Sequence, residues 1–115
     1  MSAQSIPVLT LTRTLTGTVI AASFVTVAGA QAGPDVNALG VVRTAGVSGD
    51  KVAIDVLGTA IVLSGAAVTA GASLKSDAAG KAIDWATSGA KLAIALEAAT
   101  AADQPIEVLL IPNAV

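Results

Sequence analysis

Gly71-Ala72-Ser73-Leu74-Lys75-Ser76 is the nearest this chain comes to a phosphate-binding loop. Such a loop ends in Gly-Lys-Ser/Thr, so that backbone N–H groups and the lysine ammonium surround the phosphates. Leu74 stands where the glycine before the lysine must be, and nucleotide hydrolysis is not expected. Ser64-Gly65 could form a nucleophile turn, but the G-x-S-x-G pattern is absent and the chain has no His to take the proton. A Ser–Lys arrangement is the one nucleophilic option left open. Asp50 with Asp55, or Asp77 with Asp84, are the carboxylate pairs that folding could bring together for glycosidase-like acid and base work. That chemistry also wants aromatic platforms, and one Trp, one Phe and no Tyr supply almost none. These acids are expected on solvated turns and strand faces, with Asp77, three residues before Gly80, supplying turn chemistry. Zero Cys rules out disulfides, thiolate metal sites and cysteine nucleophiles, and zero His removes the commonest metal ligand and general base. The expectation is a protein that is not an enzyme, with no metal and no cofactor.

The elements that must position these residues are built from small apolar side chains. The chain has 115 residues, 54% of them hydrophobic and only 12% charged, about half the charged share usual for soluble domains. One domain with a charge-poor surface follows. Six Lys and Arg against eight Asp and Glu give a net charge of -2, the wrong balance for phosphate contacts, so nucleic acid is not an expected partner. The apolar excess is mostly Ala and Val, which bury little area each at about 25 cal/mol per Å². A monomer built this way has a thin margin, and a core or interface shared between copies would widen it. The mean hydropathy of +0.80 points the same way, because apolar surface left over by one copy tends to become interface. No run of 18 or more apolar residues is present, so no membrane-spanning helix is expected. Gly17 to Ala32 imitates a secretory leader, closing on Ala30-Gln31-Ala32. A single basic residue, Arg13, precedes it and Ser23 and Thr26 interrupt it, so it is read as part of the fold.

Strand signals dominate the chain. Ser5 to Leu11 is extended and apolar with Pro7 near its start, which suits an edge strand or an arm that leaves the body. Residues 1–16 are assigned to this arm or edge strand, and residues 17–115 to a β-rich domain. Thr18 to Ala28 and Asn37 to Thr44 are strand candidates. Lys51 to Leu63 alternates most clearly, with Val52, Ile54 and Val56 on one parity and Ala53, Asp55 and Leu57 on the other. Gly58 should mark a bulge or a close approach of another backbone. Val68 to Leu74 follows, then a hairpin turn over Ser76 to Gly80 leading into Lys81 to Trp85. Ser88 to Ala102 fits a short helix or, over Lys91 to Ala98, a strand, and the strand is preferred because its neighbours are strand-like. Ile106, Val108 and Leu110 share one face of a last strand opened by Pro105 and closed by Pro112. The expected fold is mainly β, a single antiparallel β-sandwich or barrel with an extended N-terminal arm and room for one short helix. Phe24 is expected in the core, and Trp85 in a core or a subunit seam. Gly40, Gly58, Gly65 and Gly71 are expected to serve backbone geometry rather than a ligand.

Several stretches together resemble a known family. Ala38-Leu39-Gly40-Val41, the run Gly49 to Ala60, the run Ala70 to Ala82, and the ending Ala95 to Ala99 through Ile106 to Leu110 are similar to the capsid cement, or head-decoration, proteins of tailed bacteriophages. The likeness runs from about Thr18 to Ile111. It implies a homotrimer on the outer surface of the head, made in the host bacterial cytoplasm, that binds the major capsid protein and stabilises the mature shell by bridging its subunits. The missing phosphate loop argues against carrying over the recombinase-like label sometimes given to such proteins. A capsid- or neighbour-binding role is expected for the arm residues Ile6, Val8, Leu9 and Leu11. The alternative is a receptor-binding or fibre-like β module on a virion surface; an enzyme subunit or a carbohydrate-binding sandwich fits the composition less well.

Overall fold

The alternation of Lys51 to Leu63 becomes the long central strand on which the rest of the molecule is hung. In the computed structural model, which describes residues 5–86 and 88–114, the strands are β1 (Pro7–Thr14), β2 (Ser23–Val25), β3 (Gly40–Val42), β4 (Lys51–Leu63), β5 (Ser73–Ser76), β6 (Ala82–Asp84), β7 (Lys91–Ala95) and β8 (Pro105–Ala114). Every strand pairing is antiparallel. The order across the sheet is β2-β3-β4-β8-β7-β5-β6, with β1 added on β4. The first half of β4 pairs with β1 and β3, and its second half pairs with β8. A parallel bridge from Ser64 to Ala82, with Gly65 N–H donating to the Ala82 carbonyl at 2.7 Å, ties β6 back to the end of β4. The β4-β8-β7-β5-β6 circuit is thereby closed into a near-barrel, which settles the barrel-or-sandwich alternative towards the barrel.

Two apolar clusters fill the molecule. The larger holds Phe24, Val41, Ala60, Val62, Leu74, Leu92, Ile106, Val108 and Leu110, with small residues such as Ala82 and Ala93 between them. Ile106, Val108 and Leu110 are buried together, as their shared parity requires. The smaller holds Leu15, Val19, Val25, Val42, Val52 and Ile54. The leader-like segment contributes Phe24, Val25 and Ala32 to the core.

Several elements differ from expectation in type or extent. No helix forms among the described residues, and Lys91–Ala95 is a strand, shorter than Lys91 to Ala98. Alanine is the best helix former, but intrinsic propensity yields to tertiary context, and pairing with β5 and β8 overrides it here. The candidate strands at Thr18 to Ala28 and Asn37 to Thr44 shrink to three residues each. Of Val68 to Leu74 only Ser73 and Leu74 enter a strand, β5, while residues 68–72 form a loop tied by the Val68–Ala99 bridge and by bonds of Gly71 and Ala72 to Ala95. Pro112 does not end β8. It sits in the irregular stretch between the pairs Ala93↔Leu110 and Lys91↔Ala114, where a residue lacking an N–H is tolerated.

Gly58 is where β4 bends, with φ of +96°. A Cβ there would collide with the Ile6 carbonyl oxygen and lie 2.8 Å from the Val8 nitrogen. The β1–β4 register slips around this point, between Pro7↔Gly58, Leu9↔Leu57 and Thr10↔Asp55. Gly58→Ala is therefore expected to lift the tip of β1. Amide hydrogen exchange should quicken at residues 6–9 while the β4–β8 ladder stays protected, at a stability cost of about 1–2 kcal/mol. Uniformly quickened exchange would show that the bend serves the core instead.

Candidate interaction surface

Each group that could have done chemistry is engaged in holding the fold. The Lys75 ammonium donates to Asp35 Oδ1 at 2.7 Å and to the Ser88 carbonyl at 3.3 Å, and Ser88 Oγ donates to Asp35 Oδ2 at 3.2 Å. The hydrogen bond from Lys75, with its charge and the Ser88 hydroxyl adding to it against some desolvation, holds the Asp35 carboxyl below its ordinary range. Lys75 thus staples three segments instead of facing a phosphate. Ser64 is buried, donating to the Ala101 carbonyl at 2.7 Å and accepting from Gln104 N–H at 3.1 Å. Its hydroxyl fixes the 101–104 turn over the end of β4, and no lysine is bonded to it.

The carboxylates are separated in the same way. Asp77 Oδ1 accepts from the N–H groups of Ala79 and Lys81 at 2.8 and 3.0 Å, closing the β5–β6 hairpin. Asp84 accepts from Thr69 N–H, and Asp50 from Val47 N–H. Lys81 pairs with Asp103, a bond that raises the ammonium pKa. Among the described residues no group of three or more His, Cys, Asp or Glu could hold a metal ion.

Asp55 departs from the expectation of a solvated strand-face acid. Its side chain is only 2% exposed, and it is joined to strands on both sides. Arg43 Nε donates to Oδ1 and Oδ2 at 2.9 and 3.0 Å, Arg43 Nη2 lies 2.9 Å from Oδ1, and Thr10 Oγ1 donates to Oδ1 at 2.9 Å. The Asp55 bonds and charge raise the Arg43 pKa above its ordinary value. The signal in the sequence was an acid in the middle of an otherwise apolar alternating strand; the partners came from Thr10 and Arg43, far apart along the chain. A cleft of about 600 Å³ opens beside this pair, with Pro7, Ala22, Val41 and Ile61 as its apolar wall. A second recess, of about 450 Å³, is lined by Val27, Leu39 and Val56 among others. The first is also lined by Ser5 and by the Arg43 and Asp55 side chains, which are bonded to each other, and both recesses offer apolar surface.

Exposed apolar side chains are most concentrated at the start of the chain. Ile6 is 55% exposed, Val8 76% and Leu9 40%, while Leu11 is half-buried. They lie on or beside β1, which runs along β4, with Ile6 N–H donating to Thr59 Oγ1 and Thr59 N–H to the Ile6 carbonyl. Trp85 is not with them. It follows β6 at the far end of the strand order, half-buried, its Nε1 donating to the Gly89 carbonyl at 2.8 Å and its ring 4.4 Å from the Lys91 ammonium. A cation–π contact of that kind contributes about 0.5–1 kcal/mol and accounts for the ring's position within one copy.

No curated protein matches the chain. Among solved structures it is similar to the head fiber gp8.5 N base of bacteriophage phi29, with 16% identity and a TM-score of 0.73 over 93% of this chain and 97% of that one. At that identity the likeness is one of fold. The phage cement protein family matches residues 3–110, a span containing β1, the Asp55 pair and both core clusters. The chain belongs to the phage cement protein family, and is a structural, non-catalytic phage protein.

Proposed function

We propose that this chain is a surface module of a phage head, seated on the outside of the shell as a homotrimer and acting through several shallow apolar contacts with the major capsid protein. The observation that carries this reading is the placing of unburied Ile6, Val8 and Leu9 on a chain of the cement family. Contacts of this kind are individually weak. A trimer touching several shell subunits makes its later contacts intramolecular, so they combine into a tight hold. A module that binds the mature shell better than the loose one shifts the balance towards the mature shell by that difference, RT ln(1 + [L]/Kd) for each site. The arm residues Ile6, Val8, Leu9 and Leu11 would supply contacts to the capsid or to a neighbour, and Trp85 a seam between copies.

The fibre-like reading is the second, and the fold likeness favours it more directly than bridging. The phi29 domain is named as the base of a head fiber and is covered over 97% of its length. Both readings seat the module on the virion surface, after synthesis in the host bacterial cytoplasm.

Electron microscopy of heads carrying and lacking the protein tests them together. Threefold density between capsid subunits, with greater resistance of the decorated heads to heat, is the result expected of a bridging trimer. Density at isolated points with a shaft rising from each would favour the fibre base. Heads incubated with excess protein that gain no density at all would overturn the proposal.

A further inference from the structure

Strand β1 is attached to the body differently from every other long strand. None of its eight residues is buried, and neither apolar cluster contains any of them. The body is closed without it. What holds β1 is the backbone ladder along β4 and the side-chain bond from Thr10 to Asp55. The core begins one residue later, at Leu15, which is 1% exposed, with its N–H on the Asp50 carbonyl at 2.7 Å and its carbonyl accepting from Gly49 N–H at 2.8 Å. Leu15 therefore marks a fixed end about which the preceding strand can swing. Eight extended residues reach about 26 Å at ~3.3 Å each, comparable with the 23–35 Å extents of the whole molecule.

From this we infer that β1 is exchanged between copies: in the oligomer, the β4 edge beside Asp55 receives β1 of a neighbouring copy, which lends its own β4 in turn. The inference rests on the homotrimer reading above and adds to it how the copies are joined. Exchange of one element is a low-cost route to association because every contact in the exchanged form already exists within a single copy. Here the ladder and the Thr10–Asp55 bond would be remade between copies, so the buried carboxylate keeps its donor. The gain lies at the end of β1 distant from the hinge. Ile6, Val8 and Leu9 are unburied when β1 lies on its own body, and a strand crossing to a neighbour carries them into the seam between copies.

The absence of cysteine allows a direct test in the full chain. Thr12 faces Ala53 and Arg13 faces Val52 across the β1–β4 register, so the double variants Thr12→Cys/Ala53→Cys and Arg13→Cys/Val52→Cys place thiols on paired positions. Successive pairs alternate in type, so one of the two is the close, non-hydrogen-bonded kind. After mild oxidation, exchange links chains to one another, and most of the protein should run at three times the monomer mass on a denaturing non-reducing gel. Co-expressing the Thr12→Cys and Ala53→Cys single variants should likewise give a disulfide between the two different chains. A trimer in light scattering whose double variants consume their thiols yet run as single chains would overturn the exchange and leave the homotrimer standing. A trimer whose thiols stay free at both pairs would also overturn it, because β1 would then lie on no β4. A wild-type chain that stays monomeric, both alone and on heads, removes the homotrimer reading and this inference with it.

Discussion

Phe24→Ala is expected to remove about 3–5 kcal/mol of stability, a large part of the 5–15 kcal/mol that holds a typical domain. Phe24 is the only phenylalanine in the chain and is wholly buried. It shares its cluster with Ala32, Ala60, Ala82 and Ala93, which have no rotamer to turn into a vacated space, and with Val41, Leu74, Leu92 and Ile106, which have. How far the latter repack sets where in that range the loss falls. Its backbone is equally committed: Phe24 N–H donates to the Gly80 carbonyl at 2.8 Å, while its carbonyl accepts from Ala32 N–H at 3.0 Å and from Gln31 Nε2 at 2.9 Å. The first of those bonds joins β2 to the β5–β6 turn and the other two join it to residues 31–32, so loosening the ring should loosen both segments as well. Urea unfolding at one fixed protein concentration measures the effect without confusing it with association. A loss below about 1.5 kcal/mol would mean that the cluster collapses around the gap.

The legible parts of this fold were those where a local rule and a long-range pairing agree. The alternation of β4 and β8 needs no partner to be recognised, because a half-buried strand imposes a period of two wherever it sits. Gly58 was readable for a similar reason: a glycine inside such a period has few other uses, and its φ of +96° against the Ile6 and Val8 backbone is one of them. The turn at Ser76 to Gly80 likewise follows from Asp77 chemistry, realised in bonds to Ala79 and Lys81 N–H. Residues 18–28, 37–44 and 68–74 look like strands because Val, Ile and Thr suit a pleated surface. Only the three-residue cores of the first two and the last two residues of the third, Ser73 and Leu74, find ladders, and the rest is held by isolated bridges and separate bonds such as Val19 N–H to the Gly46 carbonyl. Composition cannot tell these two ways of satisfying a backbone apart. Asp55 was misread for a different cause. Burial of an acid depends on a cation arriving from elsewhere, and nothing near residue 55 announces Arg43.

That pair yields the second large effect, and it should be asymmetric. Arg43→Ala leaves the Asp55 carboxylate beneath β1 and β3 with Thr10 Oγ1 as its remaining side-chain donor. Stripping a buried carboxylate of its cation costs more than losing one ordinary hydrogen bond, though less than in a wholly buried pair, because the guanidinium is half exposed and a cleft opens beside it. Asp55→Asn removes the charge instead and keeps the shape. Its amide oxygen can still accept from Thr10 and Arg43, and the guanidinium, whose side chain is 47% exposed, turns to water. The loss there should be about 1 kcal/mol, the size of an ordinary hydrogen bond. Joining the two changes should give a protein more stable than Arg43→Ala alone, because the stranded charge has gone. The loss should also be local at first: Thr10 anchors β1 to this carboxylate, so hydrogen exchange in β1 should quicken in either variant before the barrel opens. Thermal unfolding of the three variants beside the wild type measures the order. Asp55→Asn falling as far as Arg43→Ala would show that the pair acts through shape alone, and that the buried charge is not what secures β1.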